Sequence, residues 1–468
     1  MSTRKLSILY ALCDFLASAA AWTAFCMLGN RSEALSGSGI LVTPDEYITG
    51  VIVIPISWVL LFMITGFYAV SLKRSRLLEL VYSLAVTIPG IFILFFILLL
   101  HGFITQNSLY VYFIEVLFLL QFTFTYIPRL IITSSTAKKV HKGLIGYNTL
   151  IIGSNGKAFD VFKRIREERI PSGNILAGYV SINDGTSYLF GDKLPYLGQI
   201  EKLPQIITEN KIEEVIIAIE GNEHNTIEAI IGKLEYSDVT IKAIPSLHDI
   251  LTGRVEHTAI FGTPLLEISN RLMPVWQANL KQIMDYAFAI TFLIILCPVI
   301  LFLSLLIGFS DKGPVIFKQT RTGKNGKTFT IYKFRSMHAD AESGEPLLSS
   351  NNDNRITRIG RFMRKHRLDE IPNLINVVKG EMSLVGPRPE RQFFIDEIVQ
   401  KAPHYRRLLK VKPGITSWGQ VKYGYASNIE QMIERLEYDL LYLENMSLSI
   451  DLKILIYTLI IILKGKGV

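Results

Sequence analysis

Residues 283–309 read IMDYAFAITFLIILCPVILFLSLLIGF, a run long enough to span a bilayer, which takes roughly 20 apolar residues in a helix. How this run is read decides where everything after it lies. Pro298 stands near its centre, where proline removes a backbone hydrogen bond and kinks a helix. Beyond it, residues 311–335 hold Lys312, Lys318, Arg321, Lys324, Lys327, Lys333 and Arg335 against one acid, Asp311. A true crossing would set this basic block on the outer side, against the positive-inside rule. The sequence therefore predicts a helix broken at Cys297–Pro298 that enters the membrane and returns, keeping the last third of the chain on the side from which it came.

That side follows from the first third. The chain has 468 residues, 49% of them hydrophobic, and a mean hydropathy of +0.32, high for a soluble protein. Four apolar runs, Leu6 to Leu28, Ile48 to Val70, Leu80 to Phe103 and Leu109 to Ile127, each approach the length of a spanning helix. The first is too long in its apolar part for a cleaved signal peptide. The loop SLKRSR and the exit PRLIITSSTAKKVHK are basic, whereas NRSEALSGSGILVTPDEY and HGFITQNS carry one basic residue between them. Both ends of a four-helix bundle over 1–135 are thus expected at the cytoplasmic face. Asp14 and Glu115 lie inside these runs, where an acid is costly. No basic partner is evident within the bundle, so a helix-packing hydrogen bond is expected of each.

Three cysteines, Cys13, Cys26 and Cys297, give neither a disulfide framework nor zinc spacing. The net charge of +8 suits an anionic lipid surface or a phosphate-bearing substrate as well as nucleic acid, and alone does not choose. Small-residue clusters such as Ala17 to Ala21 permit helix association and hence a homo-oligomer.

Between 146 and 263 the texture changes to alternating strands and helices. Strands are expected at Tyr147 to Ile152, Ile175 to Ser181, Glu214 to Ala218 and Thr240 to Ile244, with a helix at Phe159 to Glu168, which describes a Rossmann-like α/β domain. The turn Gly153 to Gly156 has only part of the dinucleotide fingerprint, so a scaffold or regulatory module is expected there. Near the C-terminus, Ile454 to Leu463 is too short to span and suits a helix lying in the interface. Ser427 and Glu430 have capping-box spacing.

The chemistry concentrates in residues 367–390, RLDEIPNLINVVKGEMSLVGPRPE. Pro372 is tolerated only in a first turn, which puts Asp369 and Glu370 at the positive end of a short helix stopped by Gly380. Around them in sequence stand Arg364, Lys365, His366 and Arg367, with Arg388 between two prolines that restrict its backbone. Lys333 and Arg335 in KFRSM, and Lys412 in VKPGITSW, add further cations. Carboxylates among many fixed cations suit phosphoryl transfer, as nucleophile or Mg²⁺ ligand, whereas a lone pair of acids would more simply cap a helix and pair with Arg364 or Arg367.

The motifs KFRSM, RLDEIPNLINVVKGEMSLVGPRPE and KVKPGITSWGQV, in this order, resemble the bacterial sugar transferase family, the polyprenyl-phosphate sugar-1-phosphate transferases, over about 274–468. The resemblance implies a membrane-held α/β catalytic domain over 274–468, monotopic on the cytoplasmic face of the bacterial inner membrane, with a re-entrant helix at 283–309. It implies transfer of a sugar-1-phosphate from a UDP-sugar, UDP-glucose or UDP-galactose as the first guess, to undecaprenyl phosphate, releasing UMP and starting a surface polysaccharide. Asp369 would be the nucleophile and carry a covalent phosphosugar, while Glu370 would help hold Mg²⁺ or move a proton. Lys333, Arg335 and Arg388 would bind phosphate, a role that charge and position in the sequence also suggest for Arg364 and Lys412. Many members continue Gly-Gln-Val with Asn-Gly-Arg; here Lys422, Tyr423, Gly424 and Tyr425 stand there, leaving Lys422 as the candidate replacement cation. Partners would be the UDP-sugar, undecaprenyl phosphate and membrane lipid, with no nucleic acid. Two other readings share the layout: an NAD-dependent membrane nucleotide-sugar dehydratase, which needs a Tyr-x-x-x-Lys that no tyrosine here supplies, and an inactive assembly scaffold, which intact Asp369, Glu370 and Arg388 oppose.

Overall fold

A computed structural model describes residues 3–36, 43–69, 72, 74–168, without 101–109, then 171–182, 189–219, 224–234, 237, 239–245, 265–268, 272–310, 313–338, 341, 353–424 and 426–465. The chain divides into two compact units, Met1–Asn270 and Arg271–Val468.

The first unit opens with α1 (Thr3–Ser36), α2 (Pro44–Ile64), α3 (Arg76–Leu100) and α4 (Tyr110–His141), each apolar and long enough to cross a membrane. Thr43 and Glu46 close a reciprocal capping box at the start of α2, with Pro44 in the first turn, where its missing N–H costs nothing. The helix α4 continues to His141, beyond the expected boundary at 135. The expected run ends at Val70, Phe103 and Leu109 fall outside the described residues, as do Lys312, Tyr425 and the domain boundary at 263.

Inside the bundle Asp14 has a basic partner after all. Arg129 of α4, fully buried, donates from Nε and Nη2 to the two carboxylate oxygens of Asp14 at 2.7 Å each, and from Nη1 to Ser83 Oγ at 3.0 Å. Its guanidinium lies 3.9 and 3.8 Å from the ring centroids of Phe62 and Phe67, and Tyr68 adds a hydroxyl donor to Asp14 at 2.8 Å. The pair satisfies the requirement that a buried charge be matched and hydrogen-bonded. Glu115, by contrast, is exposed on the surface of α4.

The same unit continues as a six-stranded sheet in the order β3-β2-β1-β4-β5-β6. These are β1 (Tyr147–Ile152), β2 (Asn174–Ser181), β3 (Tyr196–Gln199), β4 (Glu214–Ile217), β5 (Thr240–Ala243) and β6 (Leu266–Ile268); the first five run parallel and β6 antiparallel to β5. Alternate residues of one strand feed two apolar layers, as the period of two demands. Leu150, Ile152, Val215 and Ile217 pack towards α6 (Leu203–Glu209) and α7 (His224–Leu234), while Ile151 and Ile216 pack towards α5 (Gly156–Glu167). The strands β3 and β6 have no alternating apolar signature, being four and three residues long, and β6 carries the sheet past residue 263. In the glycine turn, Asn155 accepts from Ala158 N at 3.0 Å and caps α5, a local structural task.

In the second unit the long apolar run is two helices, α8 (Val275–Ile295) and α9 (Cys297–Ser310), separated at Leu296. The break falls one residue before Cys297–Pro298, so the missing N–H of Pro298 lies in the first turn of α9, where a helix has no use for it. Both arms pack onto one hairpin, β7 (Ile316–Thr322) with β8 (Thr328–Phe334): Ala289 of α8 joins Ile331, and Leu303 and Ile307 of α9 join Phe334.

The unit is completed by α10 (Arg358–Lys365), α11 (Asn373–Val378), β9 (Ser383–Val385), α12 (Gln392–Lys401), β10 (Gly414–Thr416), α13 (Trp418–Lys422), α14 (Ile429–Glu444) and α15 (Leu448–Leu463). The strands β9 and β10 pair in parallel. Asn428, not Ser427, caps α14, accepting from Gln431 N at 2.8 Å, and Ser427 donates to the Gln431 side chain. The capping box expected from Ser427 and Glu430 is therefore not formed, the cap lying one residue later. At 16 residues, α15 starts earlier than expected at Ser447, its cap, and is still shorter than a span.

Candidate active site

Lys333 leaves β8 and donates from Nζ to Glu370 Oε1 at 2.6 Å. The partner is held in place by the elements on either side of it. Thr357 caps α10, accepting from Gly360 N at 2.9 Å, and its own N–H donates to the Ser336 carbonyl, which seats α10 on the chain leaving β8. A Cβ on Gly360 would fall 1.9 Å from that carbonyl oxygen, so only glycine allows the approach. Gly360→Ala is expected to cost about 1–3 kcal/mol through this overlap, read as a lowered melting temperature; a melt equal to the parent's would refute it. One turn later Arg364 Nε reaches Ser336 Oγ at 3.1 Å.

Arg367 then takes φ 52°, ψ 24°, the left-handed conformation usual for glycine at a helix end. This reverses the chain into a single 3₁₀ turn, Leu368–Glu370, followed directly by α11. The acids therefore precede the helix in a turn of their own instead of opening it. Asn376 of α11 locks the assembly to β8, donating to Thr330 O at 2.7 Å and accepting from Tyr332 N at 3.2 Å. A left-handed arginine beside two buried acids is strain placed at a site; its guanidinium lies 3.6 Å from Glu370 Oε2.

Arg388 approaches from the other side, its Nη1 at 3.4 Å from Glu370 Oε1. The turn that carries it is fastened by Arg321, whose Nη1 donates to Pro389 O and Glu390 Oε2 at 3.2 Å each, and by Arg435 of α14, donating to Glu390 Oε1 at 2.7 Å.

These groups line one cavity of about 260 Å³. Lys333, Arg335, Arg364, Asp369, Glu370 and Arg388, expected at the site, all line it. Arg335 is held by the last turn of α9, donating to Ile307 O at 3.3 Å. Lys412 and Lys422 do not line it. Lys412 stands over the Tyr286 ring at 5.8 Å, and Lys422 over Tyr457 at 5.7 Å. The cations that sequence reasoning missed are Arg321, Arg355, Arg367, Arg391 and Arg435. Of these, Arg367 was legible beside the acids, but Arg435 arrives on α14, which packs against α12 and is tied to α13 by Gly419 N donating to Asp439. Cys297 is exposed at the start of α9, away from this lining.

The two acids titrate apart. Burial opposes charge on Glu370, but Lys333, Arg388 and Arg367 outweigh it and hold its carboxyl well below the usual range. Burial, reinforced by the charge of Glu370, pushes Asp369 above its ordinary value against the pull of Lys333, Arg364 and Arg388. Glu390, also buried, is held low by Arg435 and Arg321. One fixed anion beside one desolvated carboxylate, ringed by cations, is an arrangement for attack on a phosphate.

The family model described as "Bacterial sugar transferase" matches residues 276–465, and an uncharacterized sugar transferase of Haemophilus influenzae is 32% identical over 340 residues, 68% of this chain and 70% of that protein. The chain belongs to the bacterial sugar transferase family. The matched sugar transferase range holds every residue of the cavity described above. A second model, described as "CoA-binding domain", matches residues 63–245. The UDP-N-acetylgalactosamine-undecaprenyl-phosphate N-acetylgalactosaminephosphotransferase of Aeromonas hydrophila is 35% identical over 240 residues, 51% of this chain and 56% of that protein. The UDP-glucose:undecaprenyl-phosphate glucose-1-phosphate transferase of Xanthomonas campestris is 33% identical over 280 residues, 58% and 57%. The chain thus matches a little over half the length of these two curated sugar transferases.

Proposed function

We propose that this chain transfers a sugar-1-phosphate from a UDP-sugar to undecaprenyl phosphate at the cytoplasmic face of a bacterial inner membrane. The observation that supports it most is Asp369, buried and raised in pKa in a cavity lined by arginines and Lys333, beside a Glu370 already neutralised by cations. Relatives whose names specify N-acetylgalactosamine and glucose point to the same reaction class and leave either sugar open, alongside galactose.

In this reading an Asp369 carboxylate oxygen attacks the sugar-bearing phosphorus of the donor. The bond between that phosphorus and the bridging oxygen breaks, and UMP leaves with the electron pair. An oxygen of undecaprenyl phosphate then attacks the aspartyl phosphosugar, and the carboxylate is released. Arg364 and Arg388 offset phosphate charge, while Lys333 keeps Glu370 ionised and in place. The covalent step lets one anion leave before the next enters, so the cavity never holds both.

Asp369 and Glu370 are the residues that would hold Mg²⁺. Glu370 Oε2 is buried and accepts no hydrogen bond, and no cluster of three or more metal-binding side chains occurs among the described residues. Such a donor set fits an ion that binds one or two carboxylates and completes its shell with substrate phosphate. Bound there, the ion would supply charge neutralisation at the phosphates.

Apolar side chains left exposed on α8, α9 and α15, among them Phe288, Phe302, Leu305, Ile456 and Leu459, support this membrane placement. We read α8 and α9 as a re-entrant pair and α15 as an interfacial helix, which sets the cavity at headgroup level where a lipid phosphate lies.

The test is UMP release by the full chain in lipid nanodiscs, with Mg²⁺, undecaprenyl phosphate and a panel of UDP-glucose, UDP-galactose and UDP-N-acetylgalactosamine. Release with one donor, and labelled sugar phosphate trapped on the protein when lipid is withheld, are the expected results; no release from any donor would overturn the reading. Arg367→Gly is a sharper probe. It suits the left-handed backbone, so the protein is expected to melt at or above the parent temperature, yet turnover should fall at least about 10-fold with the ion pair to Glu370 gone. Parent-like turnover would remove Arg367 from the site.

A further inference from the structure

Lys281 of α8 does not line the cavity and takes no part in the chemistry above. Its ammonium is nevertheless in a constrained place: it donates to the Val385 carbonyl at 3.0 Å and to Asp451 Oδ2 of α15 at 2.6 Å. Tyr442 of α14, fully buried, donates to Asp451 Oδ1 at 2.7 Å. One residue upstream, Asp285 of α8 accepts from Leu384 N at 3.1 Å. The two membrane-facing helices α8 and α15 therefore grip the strand β9 from its outer side.

That strand ends at Val385, and the next four residues are Gly386, Pro387, Arg388 and Pro389. Downstream the turn is fastened by Gly386 N to Thr416 O and Gly414 N to Pro387 O. It is then closed by Arg321 on Pro389 O. Two prolines leave the segment few backbone rotations, so its direction is set by how its root is held. We propose that Lys281 is a positioning residue whose ammonium, braced by Asp451, fixes the Val385 carbonyl and thereby the turn that presents Arg388 to Glu370. The inference rests on the transferase reading only in its activity arm.

The experiment uses the full chain in nanodiscs. Lys281→Met is expected to lower kcat/KM for the UDP-sugar about 10²-fold, the loss typical of a misplaced binding group. Lys281→Arg should recover most of it. In an Arg388→Ala background Lys281→Met should add less than about twofold, because the group it positions is already gone. Hydrogen exchange at the Arg388 amide should quicken in Lys281→Met while exchange in α14 stays at the parent level. Equal losses in both backgrounds, or faster exchange throughout 271–468, would show a general structural role and overturn the proposal. Should Lys281→Met not fold, Tyr442→Phe, which removes the hydroxyl bonded to Asp451 and reaching the Val385 carbonyl at 3.5 Å, takes its place with the same expected activity outcomes and with α12 as the element of unchanged exchange. If the parent releases no UMP from any donor, the function reading fails, and the exchange measurement still decides the positioning role.

Discussion

Asp369→Asn is expected to lower UMP release about 10³-fold or more and to leave no sugar phosphate attached to the protein, because an amide cannot form the aspartyl phosphosugar. The same substitution is expected to raise the melting temperature. Burial and the Glu370 charge raise the proton affinity of Asp369 in the folded state. Its protonated form therefore contributes stability below the unfolded value near 3.8, and that contribution is lost as pH rises through the raised folded value. Above the raised value the buried carboxylate is a net cost that a neutral amide relieves. Melting should be followed without Mg²⁺, so that loss of an ion does not mask the gain. A variant that keeps its turnover would remove Asp369 as nucleophile.

The second large effect lies in the bundle. Asp14→Ala leaves the Arg129 guanidinium buried without its carboxylate, and breaking such a pair costs roughly 3–5 kcal/mol. The measurement is thermal unfolding in nanodiscs. Replacing both partners, Asp14→Leu with Arg129→Leu, should recover much of that loss, since an apolar pair leaves no buried charge. If the double variant is as unstable as the single one, the loss does not come from an unpaired buried charge. The two residues are 115 apart in sequence.

That separation shows why the bundle was only half legible. Apolar runs reveal helices because a bilayer demands about 20 apolar residues in a row, and four such runs stand in the first third of the chain. Arg129 was counted with the basic exit of the fourth run, whereas α4 continues to His141 and carries it inward to Asp14. In the sheet, β1, β2, β4 and β5 announced themselves by their apolar residues, and β3 and β6, short and mixed, form because neighbours offer them an edge.

At the site, Asp369, Glu370, Lys333, Arg364 and Arg388 could be read from motif and charge, since a phosphate site needs fixed cations near carboxylates and these lie within short, recognisable stretches. Lys412, read by the same rule, and Lys422, offered as the replacement for the family arginine, lie elsewhere, because a place in a motif says nothing of the direction a side chain takes. Arg435 and Arg321 enter through helix and strand packing that brings residues far apart in sequence onto Glu390. The sequence by itself determined the membrane runs, the break near Pro298 and the acid pair, all local consequences of hydropathy, proline and charge. Only the tertiary structure decided which cations surround that pair, the left-handed turn at Arg367 and the grip of Lys281 on β9, because each depends on contacts between segments that local chemistry does not bring together.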